Sequence, residues 1–290
     1  MNFPVYLIFF IKSYLSNRKF FIEKEQVKSY IKNVVAGVPQ GSVLGPLLFI
    51  LYINDLPITK DIALGLFADD TCILTSSFRI DTIISRLEKI GNKIIKYFAK
   101  WKISANPSKT MAVIFTKRRP CIHRKIVLHN TEIEWTDKVN YLGVVLDQRL
   151  NFNEHIRKIV NKCTALLLTL YPLINKNSAL NINNKLLIYK TLVRPNITYG
   201  CSAWCYISQS TYNSLQVIQN KFLRIIGNYR RYTFIKIIHD EFNIQFIKEY
   251  ILNTAKKFYQ NKSVKNNLIM SDINYSEKQY KHKRIKHNLI

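Results

Sequence analysis

The chain has 290 residues, 48% of them apolar with 17 Tyr and 16 Phe, so it has ample material for a folded core and is not a disordered polymer. Its formal net charge of +26 runs the whole length: residues 1–150 carry 22 Lys and Arg against 12 Asp and Glu, residues 151–220 seven against one, residues 221–290 fifteen against five. Such a field attracts polyanions and points to a nucleic-acid partner, although an AT-rich coding sequence also enriches Lys and Asn. The five cysteines, at 72, 121, 163, 201 and 205, are an odd count without zinc spacing, which fits a reducing intracellular compartment, nucleus or cytoplasm.

From the N-terminus, the apolar run 3–11 is too short to span a bilayer and has neither a basic leader nor a small-residue cleavage site, so no membrane partner is expected and the run reads as a buried helix. Residues 18–26, with Glu23 and Glu25 among basic neighbours, read as a polar hairpin. Gly37-Val38-Pro39-Gln40-Gly41-Ser42-Val43-Leu44-Gly45-Pro46 follows, its glycines free to take backbone conformations that approach a ligand closely. Pro46 suits the first position of a helix over the apolar run 47–53, with Asp55 at its end.

Gly65-Leu66-Phe67-Ala68-Asp69-Asp70-Thr71-Cys72-Ile73-Leu74 sets two carboxylates between short apolar runs, the pattern of a β-hairpin with acids at its tip. Ile80, Ile83, Ile84, Leu87, Ile90, Ile94, Ile95, Phe98 and Trp101 then recur at helical spacing with cations between them, predicting an amphipathic helix that backs the hairpin's sheet. Residues 111–115 read as a strand, which puts Lys109 in the loop entering it, and Lys117-Arg118-Arg119-Pro120 is the weakest joint. A second helical set from Phe152 to Leu170 is interrupted by Pro172, and later segments around 186–193, 212–226 and 246–258 lack strand alternation. Cys201 and Cys205 share a helix face beside Trp204 and read as core, as do His123 and His155, which have no ligand constellation. The basic stretch 278–287 is either a solvated tail or a segment that holds nucleic acid or addresses the nucleus. The order of elements predicts an α+β fold, an antiparallel sheet with packed helices followed by a mainly helical region.

Adjacent carboxylates repel unless cations sit between them and a ligand. Oxygen ligation at Asp69 and Asp70 suits Mg²⁺, with Mn²⁺ as the alternative, leaving waters and phosphates as further ligands. Paired ions of this kind serve in-line phosphoryl transfer. Taken alone, Asp-Asp is more often an acidic turn facing solvent.

Four segments in order alter that balance: the loop 37–46, Phe67-Ala68-Asp69-Asp70, Trp101-Lys102-Ile103-Ser104-Ala105-Asn106-Pro107-Ser108-Lys109-Thr110, and Val139-Asn140-Tyr141-Leu142-Gly143-Val144. Together they resemble the reverse transcriptase domain of non-long-terminal-repeat retrotransposons, especially jockey-like elements of insects. Residues 192–201 and 218–224 echo that family's later helical region. The resemblance implies a partial right-hand polymerase palm over residues 1–148 and a helical thumb and connector over 149–290. It implies an RNA template, a DNA primer and deoxynucleoside triphosphates as partners. Asp69 is then the stronger metal ligand and Asp70 the second or supporting one. Pro39, Gln40, Gly41 and Ser42, with Phe67 and Ala68, line the nucleotide and template pocket. Lys109 either faces the departing pyrophosphate or is one exposed lysine among many, and Tyr141, Leu142 and Gly143 support the primer backbone.

A polymerase of this type needs a third carboxylate on a palm strand ahead of the Pro-Gln-Gly loop, and the chain has no Asp before Asp55. The fingers and first palm motif, and an endonuclease segment of the same element, are therefore expected upstream of Met1. Two readings follow: a C-terminal part of an RNA-directed DNA polymerase, or a non-catalytic remnant that grips nucleic acid. The chain alone is expected to be inactive.

Overall fold

A computed structural model describes residues 3–39, 41–117 and 124–261. Gln40, Cys121, His123, most of the basic joint at 117–120 and the tail 278–287 lie outside the described residues. The chain divides into two compact units, Met1–Asn106 with Ile126–Thr131, and Pro107–Lys125 with Glu132–Ile290.

The first unit begins with α1 (Val5–Leu15), which forms as expected but buries none of its residues, contrary to the buried helix that its apolar composition predicts. Four two-residue strands follow: β1 (Lys19–Phe20), β2 (Glu23–Lys24), β3 (Val27–Lys28) and β4 (Lys32–Asn33). β2 pairs β3 around Glu25 and Gln26, both left-handed, and β1 pairs β4 outside them, so the polar hairpin is present and longer than its sequence signal. Helix α2 (Leu44–Tyr52) starts two residues before Pro46, which therefore sits third rather than first. The position is tolerated because the first-turn N–H groups have no intrahelical partner to lose. Strands β5 (Ala63–Phe67) and β6 (Asp70–Leu74) form an antiparallel pair, and α3 (Ile80–Lys100) buries Ile84, Ile90, Gly91 and Ile94 along one stripe.

That stripe is the expected amphipathic face, and it does back the hairpin. Ile90 and Ile94 share one core with Ile53, Leu56 and Ile62, and Leu64 of β5 and Ile73 of β6 pack against it, as does Phe49 of α2. Strand β7 (Ile126–Leu128) lies on α3 over Gly91, where a Cβ would come within 2.5 Å of a Leu128 methyl. Glu88 and Asn92 of α3 accept from the backbone N–H groups of Val127 (3.1 Å) and His129 (2.9 Å), so the helix also satisfies the strand's donors.

In the second unit, residues 111–115 do not form the expected strand. Ala112 makes an isolated parallel bridge to Trp135, and Lys109 ends a short 3₁₀ turn, Pro107–Lys109. Strand propensity there found a single pairing contact instead of a partner strand. After β8 (Thr131–Ile133), β9 (Lys138–Tyr141) and β10 (Val144–Asp147) form a hairpin whose loop residues Leu142 and Gly143 both have positive φ, the backbone of a type I′ turn. Asp147 then accepts from the N–H groups of Arg149, Asn151 and Phe152 at 2.8–3.0 Å, turning the chain into α4 (Asn153–Ile174). This helix runs through Pro172 rather than stopping at it; the proline lies in the last turn, where it removes one hydrogen bond close to the end.

A near-continuous helical stretch comprises α5 (Ile182–Ile188), a π turn (Tyr189–Val193) and α6 (Arg194–Thr198). Pro195 has no N–H to give the Thr191 carbonyl, and the wider turn, closed by Arg194 N–H to the Tyr189 carbonyl, accommodates it. α7 (Cys201–Trp204), α8 (Gln209–Ile226), α9 (Ile235–Glu241) and α10 (Ile247–Gln260) complete the unit. Trp204, Tyr189, Phe222, Leu215 and Ile247 fill its core, and Cys163, Cys201 and Cys205 are buried there as expected. His155 is also buried, its Nδ1 accepting from Val145 N–H at 3.4 Å.

Candidate functional site

The Asp pair sits where the β5–β6 hairpin turns. Register pairs Phe67 with Asp70, leaving Ala68 and Asp69 as the two-residue loop, and Ala68 adopts a left-handed φ of 49° to close it. Both carboxylates are exposed. Strand alternation puts Leu64 and Ile73 on the face that meets α3, so Phe67, Asp70 and Cys72 share the opposite face. Burial raises the Cys72 thiol above its ordinary pKa. Asp69 and Asp70 supply hard oxygen donors of the kind Mg²⁺ takes. Among the described residues no group of three or more His, Cys, Asp and Glu could hold a metal ion.

The glycine-rich loop enters α2, and α2 shares the core with the hairpin through Phe49. Its geometry is built in. Arg18 donates to the Gly37 carbonyl, and Gly37 and Gly41 have φ of +81° and +78°. Ser42 Oγ donates to the Pro39 carbonyl and accepts from Gly45 N–H, each at 2.9 Å, so its hydroxyl caps α2. A Cβ on Gly45 would lie 2.9 Å from the Pro39 oxygen. Asp55 is turned to structure: it accepts from the Tyr97 hydroxyl, whose pKa is pushed up to about 12 by desolvation and then by that carboxylate.

Lys109 and the segment 141–143 belong to the second unit. Lys109 is exposed at the end of its 3₁₀ turn. Tyr141 and Leu142 are half-buried, and the turn they form is held from a segment 57 residues away: Tyr199 Oη donates to the Leu142 carbonyl at 3.0 Å. A Cβ on Gly143 would meet the Tyr199 ring at 3.1 Å, and one on Gly200 would meet a Val144 methyl at 3.1 Å. The two Gly-containing segments interlock, a pairing with no local signal in the sequence.

Residues 1–146 match the family model described as reverse transcriptase (RNA-dependent DNA polymerase). This chain is a member of the reverse transcriptase family. Relatives of this chain include the probable RNA-directed DNA polymerase from transposon X-element of Drosophila melanogaster, 31% identical over 91% of the chain. The RNA-directed DNA polymerase from mobile element jockey of the same species is 29% identical over 91%. A Pol polyprotein from the type-1 retrotransposable element R1 of Bradysia coprophila is 27% identical over 74%. The chain spans 30% of the length of the X-element and jockey proteins and 21% of that of the R1 protein. No solved structure matches it. The fold agrees with the expected α+β class, and no helix among the described residues is long and apolar enough to cross a membrane.

Proposed function

We propose that this chain carries the carboxylate hairpin and part of the nucleic-acid surface of an RNA-directed DNA polymerase from a non-long-terminal-repeat retrotransposon. The observation that carries the reading is the pair Asp69 and Asp70 at an exposed hairpin turn, backed by a packed helix, in a chain of the reverse transcriptase family. Divalent ions bound there would lower the pKa of the attacking 3′-hydroxyl and stabilise the leaving pyrophosphate. Asp69, in the loop, is the leading ligand and Asp70, on the strand, the second. The face carrying Phe67 and Asp70, with the loop at Pro39, Gln40, Gly41 and Ser42, holds template and incoming nucleotide. Lys109 supplies positive charge to the pyrophosphate, and Tyr141, Leu142 and Gly143 support the primer through shape and phosphate contacts.

A second reading, that this polypeptide alone grips nucleic acid without extending a primer, rests on one surface. Beside β9 and β10, Lys138, Arg157 and Lys158 line a cleft of about 270 Å³ with Glu154, which pairs with Lys138 at 3.3 Å and Arg157 at 2.7 Å. This surface suits a polyanion.

Primer extension on an RNA template with Mg²⁺, beside Asp69→Asn and Asp70→Asn and with duplex binding recorded in parallel, tests both statements. Binding without extension is expected. Extension that either substitution abolishes would show that another group completes the site and would overturn the inactivity. Absence of both binding and extension would overturn the polymerase reading of this chain.

A further inference from the structure

The connection between α8 and α9 is the segment Gly227-Asn228-Tyr229-Arg230-Arg231-Tyr232-Thr233-Phe234, with Ile235, Lys236 and Ile237 opening the helix. Its inner side is built into the core. Tyr229 N–H donates to the Arg224 carbonyl at 3.0 Å, and its ring packs on Phe242 at 5.7 Å. A Cβ on Gly227 would lie 2.2 Å from that ring, so glycine makes room for it. Arg224 then reaches across the segment, donating to the carbonyls of Arg230 at 2.8 Å and Thr233 at 2.9 Å, and Thr233 N–H closes back onto the Arg230 carbonyl at 3.1 Å. The backbone of this connection is fixed without help from its outer side chains.

The outer side chains are two large aromatics and three cations. Tyr232 is 73% exposed and Phe234 78%, while Arg230, Arg231 and Lys236 are also exposed. Arg230 donates to the Tyr232 hydroxyl at 2.6 Å and its guanidinium lies 5.9 Å from the ring centroid, steadying the ring from one side. No acid lies between Gly227 and Ile237; Asp240 and Glu241 come later in α9, and the Glu241 carboxylate is engaged with the Tyr229 hydroxyl. Neither exposed ring contributes to the core. Their alternation with cations matches a ligand that alternates flat apolar faces with anions.

A nucleic-acid strand with unstacked bases has that chemistry, and a duplex, whose bases are already stacked, offers no such faces. We propose that the connection between α8 and α9 is a binding platform for single-stranded nucleic acid, on which Tyr232 and Phe234 stack with bases while Arg230, Arg231 and Lys236 contact phosphates. The proposal rests on the reading of this chain as a nucleic-acid-handling reverse transcriptase segment and gives that segment an unpaired-strand site on its helical unit.

The test uses the whole chain, with fluorescence anisotropy on a labelled single-stranded RNA oligonucleotide and, separately, on a labelled RNA–DNA duplex. The double variant Tyr232→Ala, Phe234→Ala is expected to weaken single-strand binding by about tenfold or more and duplex binding by less than about twofold. The aromatic-preserving double variant Tyr232→Phe, Phe234→Tyr is expected to restore single-strand binding, and all variants should melt with the wild type because both rings lie outside the core. Equal single-strand binding by wild type and the alanine variant overturns the platform. A wild-type chain that binds duplex but not single strands also overturns it while leaving the polymerase reading intact; one that binds neither removes both. Self-association of the wild type that the alanine variant abolishes, with single-strand affinity unchanged, would assign the patch to a second copy of the chain and overturn the proposal.

Discussion

Gly143 holds a φ of +79° with the Tyr199 ring close behind it, so both its backbone and its space exclude a side chain. Gly143→Ala is expected to cost about 1–2 kcal/mol from the left-handed conformation, with a further loss from the ring contact, read as a lowered thermal midpoint by circular dichroism. Asp69→Asn and Asp70→Asn give the opposite expectation. Both side chains are exposed, so stability should stay within about 0.5 kcal/mol of wild type in the same assay, and any loss of divalent-ion binding then reports on ligation rather than folding. At this scale the sequence exposed the chemistry and concealed the supports. Adjacent acids and regularly placed glycines are visible as local patterns. Ser42 as a helix cap, Arg18 on the Gly37 carbonyl and Tyr199 on the Leu142 carbonyl depend on contacts 3, 19 and 57 residues apart, and only the first is near enough to leave a local trace.

Among the elements, α3 was legible because its burial follows a period near 3.6 over 21 residues. Ile94→Ala on that stripe, 3% exposed, should destabilise the first unit by about 2–5 kcal/mol in a denaturant titration. α9, seven residues long, escaped notice because two turns hold too few apolar positions for a period to emerge. Pro172 misled in the other direction, since a proline in a last turn resembles a terminator in sequence. Helices α4 and α9 each bury a histidine, and burial is the main influence lowering the pKa of both His155 and His239 below the ordinary 6.5. A histidine held neutral in the fold contributes stability in full above its unfolded pKa. That contribution is lost as pH falls through about 6.5 towards the folded value, because the unfolded chain takes up the proton first. Thermal midpoints should therefore fall between about pH 7.5 and 5.5, and less steeply for His239→Gln than for wild type.

For the molecule as a whole, the basic excess predicts nucleic-acid affinity that declines steeply with salt and depends little on sequence; a flat response in a salt titration would contradict it. The first unit also displays apolar surface that its own core does not use. Tyr6 and Phe9 of α1 are 70% and 64% exposed, and Leu47 and Ile50 of α2 are 53% and 57% exposed. Surface of this kind drives association between copies, so light scattering should rise with concentration and fall when Tyr6, Phe9, Leu47 and Ile50 are replaced by polar residues.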